Sequence, residues 1–439
     1  MKKFSKYILL FVAAIAVTSC DDYLDVQPVG RVIPETLEQY RAVITKAYHG
    51  YPEHKSLSAV RTDELAIDEF GDEINRYKDI YIWKDANPDA NTISFQYGAL
   101  YNTIFYTNVI INEAPGKLSN SAEKNQLIGE AYALRAMAYF DLINLFGKPY
   151  NATTSGSDKG VPLALKIDLE QVYAAQSVEV IYNQVISDTE KAENLINLNT
   201  QPTGKNYRFS KAALYSLESR IYLYQQQWQK SLDAANKALA IKNELVDLKA
   251  TATLTTKYDS KESILALEDG YNTGLKRLFY ASADLIGSYT RTADLRFPLY
   301  FSASGSRFRI QKGGNNDQRC SFRTSELYLT KAETSLKLNN IADAKTTIIS
   351  FVKNRYTTAA FTQLESDINA MNAADLNTFI LAERKREFAA EGHRWFDLRR
   401  TTQQPIVHSF NGEDFTLIQN DPRYTIIYPA DARLNNPNL

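Results

Sequence analysis

Three times along this chain of 439 residues a tyrosine is followed four positions later by a small residue and seven positions later by a tyrosine or serine. The sets are Tyr132, Ala136 and Tyr139; Tyr215, Ser219 and Tyr222; and Tyr328, Ala332 and Ser335. On a helix these spacings fall on one face. The small residue lets a second helix come close, and the tyrosines fill the layer beside it. Facing stripes follow: Ser231, Ala235 and Ala238 after a turn near Gln226, then Ala344 and Ile348 after Asn339-Asn340. The expected fold is mainly α, a tetratricopeptide-like helical-repeat scaffold. Unrelated amphipathic hairpins would carry the same stripes and stay open as an alternative.

Gly and Pro are sparse in five blocks of helical periodicity: 35–48, 92–112 with 122–146, 177–197 with 210–241, 324–356 and 374–400. Gly147 and Pro149 stop the second block. The repeat-like helix pairs fall at about 122–241 and 324–356. Segments 49–91 and 242–323 have another character, with turn clusters such as Asp269-Gly270 and Gly313-Gly314, and 147–176 reads as a loop inserted between repeat helices. Short strands are expected at 263–267 and 307–311. Long irregular segments in a compact protein usually carry function when ordered. Here they are expected to form a loop-rich ligand-binding face on one side of the scaffold.

The chain opens with Lys2, Lys3 and Lys6, continues with an apolar run to Val17, and closes this stretch with Thr18-Ser19-Cys20. That is the basic–apolar–small order of a secretory signal. The run is too short for a spanning helix, which needs about 20 apolar residues. A cysteine at the cleavage point resembles the bacterial lipoprotein signal, in which that thiol is acylated. The expected organisation is a signal peptide at 1–19, a lipidated tether at 20–34 and a body at 35–439. Two acyl chains suffice for anchoring, since each buried methylene contributes about 0.8 kcal/mol. Beyond Cys20 only Cys320 remains, so no internal disulfide forms and the core must supply stability. Cys320 reads as a packed small hydrophobe.

The 50 basic and 51 acidic residues leave a formal charge of −1, which gives nucleic acid no purchase. The four histidines form no HExxH pair and no Cys/His zinc spacing, and His49 and His54 are separated by Gly50 and Pro52. No GxSxG elbow and no phosphate-cradling glycine loop is present. No catalytic residue, metal or cofactor is expected. Asp63, Glu64, Asp68, Glu69, Asp72 and Glu73 form an acidic stretch. A helix there would put Glu64 and Asp68 on one face, and its plain reading is a solvated helix end. A surface glycosidase would need two acids with pKa values pushed apart, and nothing in the sequence marks such a pair.

Residues 383–400 are dense in charge, with acid and base three apart at Glu383/Arg386, Arg384/Glu387 and Glu391/Arg394. The expectation is a helix laced by its own ion pairs, turning at Gly392 and anchored by Trp395 and Phe396. The same run, Glu383-Arg384 through Glu387-Phe388, Glu391-Gly392, Arg394-Trp395 and Asp397-Leu398-Arg399-Arg400, resembles the C-terminal signature of SusD/RagB-type nutrient-binding lipoproteins. Gly129-Glu130-Ala131 through Leu134-Arg135-Ala136, Tyr139-Phe140 and Phe146-Gly147 are similar to a second family helix, and 323–333 to a third. Tyr428-Pro429, the closing Asn436-Pro437-Asn438-Leu439, and Asp25 and Pro28 extend the likeness over the whole chain. The chain stops at that closing motif, where many relatives continue.

The resemblance implies an outer-membrane lipoprotein, lipid-anchored at the cell exterior, that works with a SusC-like TonB-dependent transporter. Acidic Asp21 and Asp22 fit that export within the family. The ligand would be an oligosaccharide, or a peptide in the RagB manner. Aromatic platforms with polar neighbours suit a sugar. Trp83 and Tyr81 are the platform candidates, because alternate spacing in an extended segment would put both on one side, just before the polar loop 85–92. Asp68 and Asn91 are candidates for polar contacts, and Tyr271 and Tyr289 for a second wall. Trp228 and Trp395 lie inside packing motifs and read as core. Asp294 and Arg296 resemble a family DxR element of structural character.

Overall fold

The structure is a computed structural model that describes residues 34–167 and 171–439. The expected signal peptide, Cys20, and the tether up to residue 33 lie outside the described residues. From Pro34 the chain runs through α1 (Leu37–His49), α2 (His54–Val60), β1 (Leu65–Ile67), α3 (Ile74–Tyr81), α4 (Tyr97–Lys117) and α5 (Ala122–Phe146). Next come β2 (Lys159–Pro162), β3 (Ala175–Ser177), α6 (Val178–Leu195), α7 (Lys211–Tyr224) and α8 (Trp228–Ile241). An irregular stretch holds β4 (Ser263–Leu265), α9 (Thr273–Leu278), β5 (Phe279–Ala281), α10 (Ala283–Gly287), α11 (Phe297–Tyr300), β6 (Phe301–Ser304), β7 (Arg307–Ile310) and β8 (Phe322–Arg323). Helices return as α12 (Thr324–Lys337), α13 (Ile341–Val352), α14 (Thr358–Ala370), α15 (Ala373–Glu387) and α16 (His393–Arg400). The chain closes with β9 (Ile406–Phe410), β10 (Glu413–Leu417) and α17 (Ala430–Asn435).

The helices begin where the sequence supplies caps. Ser121, Ser177 and Ser210 each accept a backbone N–H of the first turn of α5, α6 and α7, and Thr36 and Gln39 close a capping box on α1. Consecutive helices then pack in pairs, α5 on α6, α7 on α8 and α12 on α13, with α12 also against α8. The predicted small residues sit at the crossings: Ala136 and Ala332 are fully buried, as are Ala235, Ala238 and Ala344. At the α7–α8 crossing the Ser219 hydroxyl donates to Ser231 O at 3.1 Å and the Ser231 hydroxyl donates to Ser219 O at 2.7 Å. Only small side chains permit such a reciprocal bond. Gly129 serves the same end, since a Cβ there would lie 2.9 Å from Ile196 N.

The strands pair two by two and antiparallel, β4 with β8 at the repeats and β1 with β5 at the face. Both expected strands form, at β4 and β7. α2, α3 and α14 were not expected. Their apolar stripes are short, and α14 buries little beyond Ile368.

The charged run at α15–α16 behaves differently from the expected self-paired helix. Of the three expected pairs only Glu383/Arg386 forms, at 2.5 Å. Glu387 instead accepts from Arg323 (3.1 Å), Arg355 (2.9 and 3.1 Å) and Arg296 (3.1 Å), all sealed from solvent. Glu391 pairs with Arg323 and Lys312, and Arg394 reaches Asp63 at 2.7 Å. Arg296 also holds Asp294 and Glu383, and Arg355 also holds Glu262. Five acids (Glu262, Asp294, Glu383, Glu387, Glu391) thus face five bases (Arg296, Lys312, Arg323, Arg355, Arg386). Long-range partners win because they bury and neutralise charges that a local pair would leave half-satisfied. The chain can turn here because Gly392 takes φ 78°, and a Cβ would strike Lys55 O at 2.5 Å.

Desolvation opposes ionisation of Glu387, yet the surrounding guanidiniums hold its carboxyl well below the ordinary glutamate range. Glu387→Ala leaves three buried cations short of a partner and is expected to cost about 3–5 kcal/mol in urea unfolding. A loss below about 1 kcal/mol would show that the network does not hold the fold.

Candidate functional site

The two loop-rich segments meet in a short antiparallel ladder. β1 pairs with β5 in the register Leu65↔Ala281 to Ile67↔Phe279. Asp68 N donates to Leu278 O and Ser282 N to Glu64 O, both at 2.8 Å, so the ladder continues past both ends. The β9–β10 hairpin packs on the same side, where Asn411 N donates to Glu69 at 2.8 Å.

The platform candidates do not face a ligand. Tyr81 ends α3 and Trp83 adopts φ 55°, so the segment is not extended and the alternate-spacing argument fails. Tyr81 is 3% and Trp83 1% exposed. Between them lies His408, its ring 4.0 Å from Tyr81 and 4.2 Å from Trp83 in a three-ring stack. His408 Nδ1 and Nε2 lie 2.6 and 2.8 Å from the carbonyl oxygens of Tyr81 and Thr62. Burial pushes its pKa down to about 4, while the two carbonyls, which together call for an N–H on each nitrogen, pull it up. Trp83 Nε1 donates to Arg61 O at 3.1 Å. Tyr271 and Tyr289 are also buried, with hydroxyls donated to Leu275 O and Arg386 O, and form no second wall. Asp68 is committed to Arg309 at 3.0 Å, beside Tyr280, whose ring is sandwiched by Arg307 and Arg309. Phe70 next to it is 94% exposed.

Above the stack, the polar loop after Trp83 is held at both ends. Arg61, itself buried over the Trp395 ring, takes Asp85 with two bonds of 2.7 and 2.8 Å. Asp79 organises the rest: its carboxylate accepts Asp89 N at 2.5 Å, the Thr92 hydroxyl at 3.3 Å and the Lys84 ammonium at 3.4 Å. Its carbonyl accepts Lys84 N at 2.8 Å. Asp89 in turn holds Asn91 by backbone N–H and side-chain amide at 2.9 and 3.2 Å.

This loop and residues 426–433 enclose a pocket of about 420 Å³, within the range of small-ligand sites. Phe95 and Phe146 form its floor, and the half-buried Tyr428 ring, stacked on Phe146 at 5.7 Å, supplies an aromatic wall. Asp85, Asn87, Asp431 and Arg433 give it polar groups. None of the six sequence candidates lines this pocket; Asn91 falls between the lining residues Ala90 and Thr92 in the sequence without lining it itself. Sequence reasoning missed Tyr428, which reads as part of a closing motif and comes to the loop only through the fold. A larger groove of about 860 Å³ runs along α1 and α4, lined by Val43, Tyr101, Phe105, Tyr106, Val109 and Tyr173.

Among the described residues His54, Asp141 and Glu268 form the one group close enough to ligate a metal. The Lys55 ammonium already stands 2.8 Å from Glu268. Burial disfavours the His54 imidazolium, yet Asp141 at 3.4 Å raises its pKa. Lys55 and His54 stand as ion-pair partners of the two carboxylates, while both His54 nitrogens and both Glu268 oxygens lack a hydrogen-bond partner among the described residues. Only the far end of the acidic stretch is a solvated helix end, with Glu73 at the N-cap of α3 beside exposed Asp72. Glu64 is fully buried beside β1, and burial, then the Asp63 charge, pushes its pKa up to about 8. Desolvation works against the Asp63 carboxylate, yet Arg394 and Lys385 bring its pKa down to about 2.

Two family models cover the chain. One, described as starch-binding and associating with the outer membrane, matches residues 22–223; the SusD family model matches 179–437. The chain belongs to the SusD family. SusD-like protein P38 of Formosa agariphila is 24% identical over 524 aligned positions, covering 100% of this chain and 99% of that one. Among solved SusD relatives, a superfamily protein from Bacteroides fragilis superposes with a TM-score of 0.78 at 20% identity, over 93% of this chain and all of that one. A laminarin-binding SusD-like protein gives 0.62 at 17% identity, over 83% and 91%. The SusD fold is thereby shared, helical repeats and loop-rich face together.

Two outcomes follow from this geometry. Asp79→Ala orphans donors of loop 84–92, each costing about 1–3 kcal/mol. Amides of 84–92 are expected to exchange at least about tenfold faster, with α5 unchanged, by hydrogen-exchange mass spectrometry. The second concerns Glu64. The unfolded chain ionises Glu64 near the ordinary glutamate value of 4.5 and the folded one only near 8, so wild-type stability falls as pH rises between them. Glu64→Gln escapes that loss. Its stability relative to wild type should rise by about 2–4 kcal/mol from pH 4.5 to 8, read from urea midpoints.

Proposed function

We propose that this protein is a lipid-anchored, non-catalytic nutrient-binding protein of the outer cell surface. It captures an oligosaccharide in the pocket between loop 84–95 and Tyr428 and passes it to a SusC-like TonB-dependent transporter. The observation that carries this reading is the prearranged loop. A polar loop fixed by Asp79 and Arg61 beside an aromatic ring offers hydroxyl partners and a C–H platform at little ordering cost. Family membership and the laminarin-binding relative support a glycan as the ligand. The apolar, aromatic groove along α1 and α4 favours a second reading, in which the ligand is a peptide. Cys20, by its signal context, carries the acyl anchor that keeps the protein close to its transporter.

Calorimetry on residues 21–439 with panels of oligosaccharides and peptides tests the reading. Tyr428→Ala is expected to weaken a glycan about three- to tenfold, while Tyr106→Ala leaves it unchanged. Peptide binding that is lost in Tyr106→Ala and kept in Tyr428→Ala would overturn it in favour of the groove. In cells, Cys20→Ala should release the protein from the membrane fraction without changing its affinity. A transporter of β-barrel size should copurify from mild detergent.

A further inference from the structure

The charges around the 420 Å³ pocket say which glycans suit it. Its lining carries four carboxylates, Asp79, Asp85, Asp89 and Asp431, against two cations, Lys84 and Arg433. The nearby cations are largely spent. Arg61 gives two bonds to Asp85 and a third to Arg423 O from behind the loop. Lys84 stands 3.4 Å from Asp79, and Lys78 3.9 Å from Asp89. Arg433 donates Nε to Tyr428 O at 3.2 Å and shares the short α17 with Asp431, which makes no ion pair among the described residues. Once each pair is cancelled, Asp431 and Arg433 remain, two positions apart on α17 and unpaired with each other, and their opposite charges leave the pocket without a net positive charge.

A sulfate or uronate needs a cation free to form charge-assisted, bidentate bonds. Here it would have to pull Lys84 from Asp79, which also holds the loop, or approach Arg433 against the Asp431 charge. A neutral sugar meets no such conflict. The side chains of Asn87 and Ser94 line the pocket without a hydrogen bond to the described residues, and the Asp431 carboxylate is ready to accept. These are donors and acceptors for hydroxyls. Building on the glycan reading above, we infer that this pocket selects neutral oligosaccharides and turns away polyanionic ones of the same backbone.

The test pairs neutral gluco-, xylo- and manno-oligosaccharides with their sulfated or uronate counterparts, titrated into residues 21–439. A neutral probe should bind at least about tenfold more tightly than its anionic counterpart. Its affinity should change less than about twofold between 50 and 500 mM salt, because no ion pair is formed. Asp431→Lys, an exposed position away from the loop's own bonds, should raise the affinity for anionic probes relative to neutral ones at least about tenfold, the neutral ones weakening only by the loss of one hydroxyl acceptor. Tighter binding of an anionic probe to wild type, weakened steeply by salt, would overturn the charge selection while leaving glycan capture intact. Binding of peptides with no response to any oligosaccharide would overturn both.

Discussion

The carboxylate of Glu387, shared by Arg296, Arg323 and Arg355, is the interaction on which the rest of the molecule depends. The three guanidiniums come from three places: the irregular face, the strand leading into α12 and the end of α13. Each would be costly to bury alone. Together with Glu262, Asp294, Glu383, Glu387, Glu391, Lys312 and Arg386 they sum to zero formal charge, so burial becomes tolerable only when all the segments arrive. Apolar packing would hold the helices in many relative positions. A neutral cluster with bidentate geometry accepts one. The irregular segments are thereby registered against the repeats, although they lack long helices of their own.

From that anchor the order passes outward. Gly392 lets α16 turn back, Trp395 of α16 stacks on Tyr424 and supports Arg61, and Arg61 holds Asp85 of the ligand loop. A second line runs through the Tyr81–His408–Trp83 stack beneath the same loop. The loop is exposed but not free. Its ordering entropy is met during folding, and little remains to be met when a ligand enters.

Much of the scaffold was legible because its signals are local. Ser121 and Gly147 bound α5 where periodicity places it, and Ala136, Ser219 and Ala332 mark real crossings. The loop-rich character of the two segments was also legible, as composition. The site was not. Trp83 and Tyr81 share a side only if the backbone is extended, and a helix end followed by a left-handed residue removes that condition. Arg384 and Glu387 stand three apart, a good helical pair, yet each finds a buried partner from elsewhere. Tyr428 joins a loop more than 300 positions earlier in the sequence. Spacing rules describe neighbours along one element, and these contacts are set by the folded whole.

The stack under the loop has an optical consequence. Trp395 is locked in the core and reaches loop 84–95 only through Arg61, and Trp228 lies on the repeat turn, whereas Trp83 directly precedes that loop. An imidazole pressed against an indole quenches its emission, and the contact is set by Arg61 O and by the hairpin that carries His408. Any movement of loop 84–95 that shifts this contact changes how brightly the protein glows. The chain therefore carries a built-in lamp at the root of the loop that lines its pocket, needing no dye to see a guest arrive.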